Sequence, residues 1–236
     1  MNILILEANQ FKHTDLAELN ERQQQHIKSV LKLKEGDHLH VGALNGKLGR
    51  AELCEKNNKL FLRNINLSVS PPAQLNIVLI LVLPRPQMLR RILQTVAIFG
   101  VKELVLIQTQ RVEKSFWQSP TVTDNAIREQ LILGLEQAKA TQLPKISKFQ
   151  RFRPFIEDDC ASLTRTSERF IAHPGPFPMI PSKKREQALS LAIGPEGGFS
   201  EYEVSKFMDL RFSPVQLGER ILKVETAVTA ILGRLI

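Results

Sequence analysis

Cysteine is scarce. Cys54 and Cys160 are the only two in 236 residues, they lie far apart, and neither has a CxxC partner. That excludes a disulfide scaffold and a thiolate zinc site, and it fits a reducing cytoplasm. Long apolar runs are missing too: none reaches the ~18 residues that a membrane span needs. Met1 to Leu6 is apolar, but no basic segment precedes it and no small-residue cleavage site follows, so no signal peptide is expected. No internal repeat and no low-complexity tract is present. No GxGxxG follows the first strand of the later half, which disfavours a nucleotide-cofactor dehydrogenase. Acidic residues are in deficit, 24 against 32 Lys plus Arg, for a net charge of +8. The basic excess points to a polyanion partner only weakly, because a charge of this size spread over the chain is a modest field. Apolar residues make up 43%, enough to bury a core, so disorder is excluded.

Ser68 to Gln74, with two consecutive prolines, marks a boundary, since proline can neither donate to a ladder nor sit inside a helix. Before it, Ile3 to Leu6 reads as a strand. Asn20 with Gln23 caps a helix whose face carries Ile27, Val30 and Leu31. Asn45-Gly46 is a hairpin turn, and Ile65, Leu67 and Val69 alternate as in a half-buried strand. One helix with several short antiparallel strands predicts a small β-barrel over residues 1–70.

Residues 75–236 change rhythm. The run Ile77 to Leu83 predicts a strand covered on both faces. A helix from Gln87 to Phe99 ends at Gly100. Leu104 to Ile107 is a strand and Asp124 to Lys139 a helix. Arg169 to Ala172, Leu189 to Ile193 and Pro214 to Leu217 are further strands. Ser200 with Glu203 caps another helix, and Val224 to Ile236 forms the last. Alternating strands and helices predict an α/β domain with a mostly parallel sheet.

Three segments past strand ends carry the chemistry. Ile193-Gly194-Pro195-Glu196-Gly197-Gly198-Phe199-Ser200 joins a buried strand to a capped helix, the place where open α/β sheets bind ligands. Its glycines let a ligand approach the backbone. Pro195 removes an N–H donor and Glu196 adds negative charge, so the loop suits an uncharged or cationic ligand better than a phosphate. A tight turn with a helix-end carboxylate explains it equally well. The second segment, Leu217-Gly218-Glu219-Arg220-Ile221-Leu222-Lys223-Val224-Glu225-Thr226-Ala227, is dense in polar side chains, although Glu225 and Thr226 also fit simple capping. The third is Ala172-His173-Pro174-Gly175, where a lone histidine is ordinarily a turn residue. His38 and His40 share a strand face with no carboxylate or thiol to complete a metal site, so no metal is expected.

IGPEGG followed by S-x-x-E, with LG-x-R-x-L-x-x-ETA near the C-terminus, resembles the RsmE group of the SPOUT superfamily, which are S-adenosylmethionine-dependent ribosomal RNA methyltransferases. The resemblance covers the whole chain. It implies a PUA-like RNA-binding barrel over 1–70. It also implies a SPOUT domain over 75–236 whose segment from about 168 to 236 forms a trefoil knot, a rare exception to the usual topology. It implies a homodimer acting on 16S small-subunit rRNA with N3-methyluridine as product. S-adenosylmethionine would be held by Ala172, His173, Pro174, Ile193, Gly194, Glu196, Gly197, Gly198, Leu217, Gly218, Ile221, Leu222, Glu225, Thr226 and Ala227.

Methyl transfer is an in-line displacement helped chiefly by holding nitrogen and methyl in place. Loss of the N3 proton leaves negative charge on the ring oxygens, which a fixed cation stabilises. Arg220 and Lys223 are the candidates, with Glu225 orienting one of them or taking the proton. The alternative is a structural ion pair between Arg220 and Glu225. RNA contacts are expected from Lys32, Arg85, Arg90, Arg91 and Arg111, with Lys183-Lys184-Arg185 as another basic cluster. Lys139 to Arg153 is basic as well, with Phe149, Phe152 and Phe155 read as the buried stripe of a helix.

The chain departs from the family pattern at Thr95 and Ile98, where Lys and Glu are usual, at Ala140 and Gln142 in place of arginines, and at Lys223-Val224 in place of Arg-Thr. Arg and Lys differ where a planar fork is needed. The cofactor loops are nearly intact while polar positions have drifted. The expectation is therefore a cytoplasmic uridine-N3 methyltransferase, with a different RNA target or a non-catalytic RNA binder as rivals.

Overall fold

In a computed structural model of the chain, residues 2–181 and 188–235 are described. The triplet Lys183-Lys184-Arg185 falls outside them. Contacts divide the chain into two units, Met1–Ala73 with Ile132–Leu143, and Gln74–Leu131 with Pro144–Ile236. The division is not contiguous in sequence.

The first unit is built on one six-stranded sheet. Its strands are β1 (Leu4–Leu6), β2 (Phe11–His13), β3 (Leu16–Glu18), β4 (His38–Ala43), β5 (Leu48–Lys56) and β6 (Lys59–Val69). Their order is β1-β4-β5-β6-β3-β2. The β1–β4 pair is parallel and the other pairs are antiparallel. Asn45 sits in the β4–β5 turn at φ 59°, a left-handed conformation that asparagine tolerates. Leu4, Leu6, Val41, Leu53 and Leu62 form the centre of the core. Helix α1 (Glu21–His26) starts with the expected reciprocal cap between Asn20 and Gln23. Ile27 is fully buried, but Val30 is 63% exposed and Leu31 is also exposed. The helix continues there as a π-type turn over Ile27–Leu31. A wider turn breaks the 3.6-residue period, so the expected shared face of Ile27, Val30 and Leu31 does not exist. Segment Ile132–Leu143 joins this unit through Glu136. Its buried carboxylate accepts two N–H bonds from Arg22, at 2.9 and 2.8 Å, a bidentate pair that fixes both partners. Its carbonyl accepts the N–H groups of Asn2 and Ile3.

The second unit holds a six-stranded sheet in which every pairing is parallel, ordered β12-β10-β11-β7-β8-β9. Strand β7 (Leu75–Val82) leads through helix α2 (Pro86–Phe99) to β8 (Val101–Ile107), and helix α3 (Asp124–Ala138) leads to β9 (Lys145–Phe149). Two short helices follow, α4 (Phe152–Pro154) and α5 (Cys160–Leu163), with a π-type turn between them. Then come β10 (Glu168–Ala172), β11 (Leu189–Ile193), helix α6 (Glu201–Asp209), β12 (Ser213–Val215) and helix α7 (Val224–Arg234). Gly100 closes α2 in the left-handed conformation, as its position predicts. The stripe expected of Phe149, Phe152 and Phe155 is not one helix face. Phe149 ends β9, Phe152 opens α4, and the two strand-helix rings Phe149 and Phe155 meet at 4.9 Å. Phe152 packs 5.8 Å from Phe207, which also touches Phe199 and Phe212.

Candidate active site

Strands β12, β10 and β11 are neighbours, and their ends are level: Ala172 pairs with both Ile193 and Val215. The loops after residues 172, 193 and 215 therefore leave the sheet side by side at its carboxyl edge. In an open parallel sheet that edge is where ligands bind. Between the three loops lies a cavity of about 430 Å³.

Local chemistry explains the loop shapes. A Cβ on Gly194 would lie 3.1 Å from the Phe199 ring, and Gly198 and Gly218 have φ of +70° and +127°. A side chain at either of the last two strains the backbone. The turn ends at α6, where the Ser200 hydroxyl accepts the Glu203 N–H at 3.3 Å and the Glu203 carboxylate accepts the Ser200 N–H at 2.8 Å. The other oxygen of this buried carboxylate accepts the Gln110 N–H at 2.8 Å. That bond holds the loop after β8 against the start of α6. Arg111, the next residue, donates to the Gly197 carbonyl, and its Cδ lies 3.4 Å from where a Cβ on Gly197 would stand. Arg111, expected as an RNA contact, is exposed and engaged with the glycine turn.

The cavity wall collects most of the residues singled out in the sequence. The first loop supplies Ala172, His173 and Pro174, and the second supplies Ile193, Gly194, Glu196 and Gly198. The third supplies Leu217, Gly218, Arg220, Ile221 and Leu222, and Ala227 enters from α7. Four expected residues are not in the wall: Gly197, Lys223, Glu225 and Thr226. Gly197 faces Arg111. Lys223 caps α7 from outside, with an exposed side chain. Within α7, Val224, Ala227, Val228, Ile231 and Leu232 are buried; Thr226, two steps of about 100° around the helix from Val224, is exposed on the opposite side, and Glu225 is half-buried on the flank of the buried face. No ion pair joins Arg220 to Glu225 among the described residues. Gly175, Pro195, Glu219 and Val224, which lie within the three segments singled out in the sequence, also line the cavity, and sequence reading missed Pro176, Val215 and Gln216. Ile221 is 86% exposed on the third loop, an apolar side chain left uncovered beside the cavity.

The electrostatics are mixed. Two carboxylates, Glu196 and Glu219, and one guanidinium, Arg220, share the wall. Burial, with the Arg111 charge adding to it, holds the His173 imidazole below its ordinary pKa of 6.5. Its Nδ1 is buried without a hydrogen-bond partner. Arg85, Arg90 and Arg91 are exposed at the start of α2, and Lys32 is exposed in a left-handed conformation after the π-type turn. None of these four lines the cavity. Of the departures from the family pattern, Ile98 is 43% exposed and Thr95 is half-buried, its hydroxyl bonded to the Arg91 carbonyl. Cys54 and Cys160 are both free thiols, and burial pushes Cys160 up to about 12. Among the described residues no group of three or more His, Cys, Asp or Glu side chains is placed to hold a metal, and no helix is long and apolar enough to cross a membrane.

Residues 71–236 match the protein family described as RNA methyltransferase domain. The ribosomal RNA small subunit methyltransferase E of Treponema pallidum is 31% identical, over 98% of this chain and 88% of its own length. The ribosomal RNA small subunit methyltransferase E 1 of Borreliella burgdorferi is 29% identical, over 98% and 95%. Among solved structures, a methyltransferase from Legionella pneumophila with bound SAM superposes with a TM-score of 0.81 at 22% identity, over 98% of this chain and 95% of that one. A ribosomal RNA small subunit methyltransferase E from Neisseria gonorrhoeae bound to S-adenosyl methionine gives 0.77 at 19% identity, over 99% and 95%. The chain belongs to the RNA methyltransferase domain family and, within it, to the small-subunit ribosomal RNA methyltransferase E group.

Proposed function

We propose that this chain transfers a methyl group from S-adenosylmethionine to small-subunit ribosomal RNA, with N3 of a uridine as the acceptor. The observation that carries the reading is the single cavity formed by three loops at the carboxyl ends of β10, β11 and β12. The donor set fits the cofactor. Pro174, Pro176 and Pro195 lack N–H groups, so the wall is poor in the donors a phosphate requires. Glu196 and Glu219 complement a sulfonium cation. The bends at Gly198 and Gly218 leave room for backbone to approach an adenosine, and the unpartnered Nδ1 of His173 offers a polar group to it. Bound there, S-adenosylmethionine supplies an electrophilic methyl.

The chain's residues do the rest. The three loops fix the direction of attack, which is the main term in a displacement of this kind. Arg220 lines the cavity and is the cation placed to stabilise negative charge on the uracil carbonyl oxygens after N3 loses its proton. Lys223 and Glu225 lie outside the wall, so the cation's role falls to Arg220, while the N3 proton passes to water, the guanidinium being unable to accept it. Arg111 and Glu203 act one layer out, holding the glycine turn in shape.

The family implies further features that complete the proposal: a trefoil knot in about 168–236, a PUA-like barrel over 1–70, a SPOUT domain over 75–236, a homodimer and a cytoplasmic location. The test is transfer of labelled methyl to unmodified 16S rRNA, presented naked and in assembled subunits, followed by nucleoside digestion. Label in N3-methyluridine is the expected result. Label in another nucleoside overturns the acceptor, and no transfer despite cofactor binding overturns the enzyme in favour of an RNA binder.

A further inference from the structure

The loop after β8 carries a brace that the methyl transfer itself does not call for. The sheet is parallel throughout, so this loop leaves the same edge as the three loops around the cavity, yet it supplies none of the cavity wall. Gln108 is its first residue. The Gln108 amide N–H groups donate to two carbonyls of the same loop, those of Thr109 and Val112, both at 2.8 Å. The amide oxygen accepts the indole N–H of Trp117 at 2.6 Å. Trp117 lies beyond the loop, in a short 3-10 helix over Lys114–Gln118. One side chain thus uses both its donor and its acceptor ends, and ties the loop to the element that follows it.

Between the two braced carbonyls stand the two residues that touch the glycine turn and its helix. The Gln110 N–H donates to the Glu203 carboxylate, and the Arg111 guanidinium donates to the Gly197 carbonyl. Both residues are exposed, so burial does not fix them. The loop's own turn bond, from the Val112 N–H to the Thr109 carbonyl, is long at 3.3 Å. The loop also bears a cost. Thr109 is 2% exposed and its hydroxyl is buried without a hydrogen-bond partner, and an unsatisfied buried hydroxyl is expensive. A conformation that hides such a group persists only when its surroundings hold it. The Gln108 amide, anchored by Trp117, supplies that hold.

A half-buried tryptophan ordinarily serves through its area. Here the indole N–H serves as well, because its acceptor is the one side chain that grips the loop at both ends of the Gln110-Arg111 pair. The path from indole to glycine turn is short and continuous: Trp117 to Gln108, Gln108 to the Val112 and Thr109 carbonyls, and Arg111 between them to Gly197. Trp117 is the only tryptophan in the chain, so indole fluorescence reports on this place alone.

We propose that Trp117, acting through Gln108, is a positioning residue for the S-adenosylmethionine site: the brace holds Arg111 against the glycine turn, and a bound cofactor is sensed at the indole along the same path. The inference rests on the cofactor occupying the cavity. Its test has a kinetic and a spectroscopic arm. Trp117→Phe keeps an aromatic ring and removes the N–H; it is expected to raise KM for S-adenosylmethionine about 3- to 10-fold with kcat near wild type. Gln108→Leu loses all three bonds and is expected to raise KM by about tenfold or more. A tryptophan that only packs would lower the unfolding midpoint and leave KM where it was. In the second arm the cofactor is titrated into the wild-type chain, with the indole excited at the red edge of its band, where adenine does not absorb. The emission is expected to change saturably, in step with the heat of binding. In Arg111→Ala the heat persists at weaker affinity and the emission change is lost. Unchanged KM in both variants overturns the proposal. So does a silent indole while calorimetry shows binding, or an emission change that survives Arg111→Ala. Absence of any heat of binding in the wild-type chain is a distinct result: it overturns the cofactor reading, and this inference falls with it.

Discussion

The second unit's cavity and a hollow in the first unit, lined by Ile3, Val41, Leu48, Arg50 and Val69 among others, are nearly equal in volume, about 430 and 450 Å³, yet they are built differently. The one in the second unit opens where three parallel strands end, and its wall mixes two carboxylates with one arginine. The one in the first unit opens where an antiparallel ladder is bulged, and its charged residues are all basic or histidine. Glycine serves each differently. Gly198 and Gly218 supply positive φ so that a loop can turn around a ligand, whereas Gly49 lets one strand pass close to another. Size says little about what a hollow takes. The sign of the charge at its rim and the supply of backbone donors say more.

The comparison breaks most visibly if the core beneath the first of these sites is cut. Phe207 is fully buried and touches three aromatic rings, one of them Phe199, which packs over Gly194. Phe207→Ala is expected to cost about 3–5 kcal/mol of stability, read by calorimetry or denaturant unfolding. It also weakens cofactor binding, because Phe199 loses its support.

Next in size is the split between two residues to which sequence reading assigned different parts in the reaction, Arg220 as the stabilising cation and Glu225 as its orienter or the proton acceptor. Arg220→Ala is expected to lower kcat by about 100- to 1000-fold, the usual effect of removing one stabiliser of developing negative charge. Glu225→Gln is expected to leave kcat close to wild type, since its side chain lies outside the cavity wall. Steady-state kinetics with unmodified small-subunit RNA compares the two. Equal losses would return Glu225 to the centre of the reaction.

Arg111→Ala comes third. Losing its charged hydrogen bond to Gly197 costs about 1.5–3 kcal/mol in cofactor affinity. This appears as a raised KM for S-adenosylmethionine with kcat little changed. An equal loss in oligonucleotide binding would instead make Arg111 the RNA contact first expected of it.

The smallest effect is on pH. His173 has a folded-state pKa below 6.5, with burial the larger cause and Arg111 the second. A histidine of this kind favours the folded form above its unfolded pKa and loses that contribution as pH falls below about 6.5. Cofactor affinity is expected to fall over the same acidic range. Removing the neighbouring charge in Arg111→Gln moves the midpoint upward toward 6.5. A midpoint that does not move would separate His173 from Arg111.

Much of the second unit could be read from sequence because its signals are local. The run Ile77 to Leu83 is apolar since β7 lies inside the sheet, and Gly100 and Ser200 punctuate helices by backbone chemistry alone. Strand β9 escaped. It is an edge strand pairing only with β8, so Lys145 and Lys148 remain exposed and no continuous apolar run marks it. The π-type turn at Ile27–Leu31 escaped for another reason, since its apolar residues keep helical spacing while the backbone does not. The grouping of Ile132–Leu143 with the first unit depends on Glu136 meeting Arg22 across more than a hundred residues, which no local pattern signals. At the site, the three loops were legible as glycine-rich strand ends. The phase of α7 was not: Ala227 falls on the side that lines the cavity and Thr226 on the exposed side.

Isothermal titration of the intact chain with S-adenosylmethionine, repeated with S-adenosylhomocysteine as competitor, tests the core of this account most directly. Saturable binding at one site per chain is expected, displaced by the competitor, weakened by Gly198→Val and indifferent to Arg50→Gln. Absence of binding at millimolar cofactor, or binding that Gly198→Val leaves untouched, would contradict it.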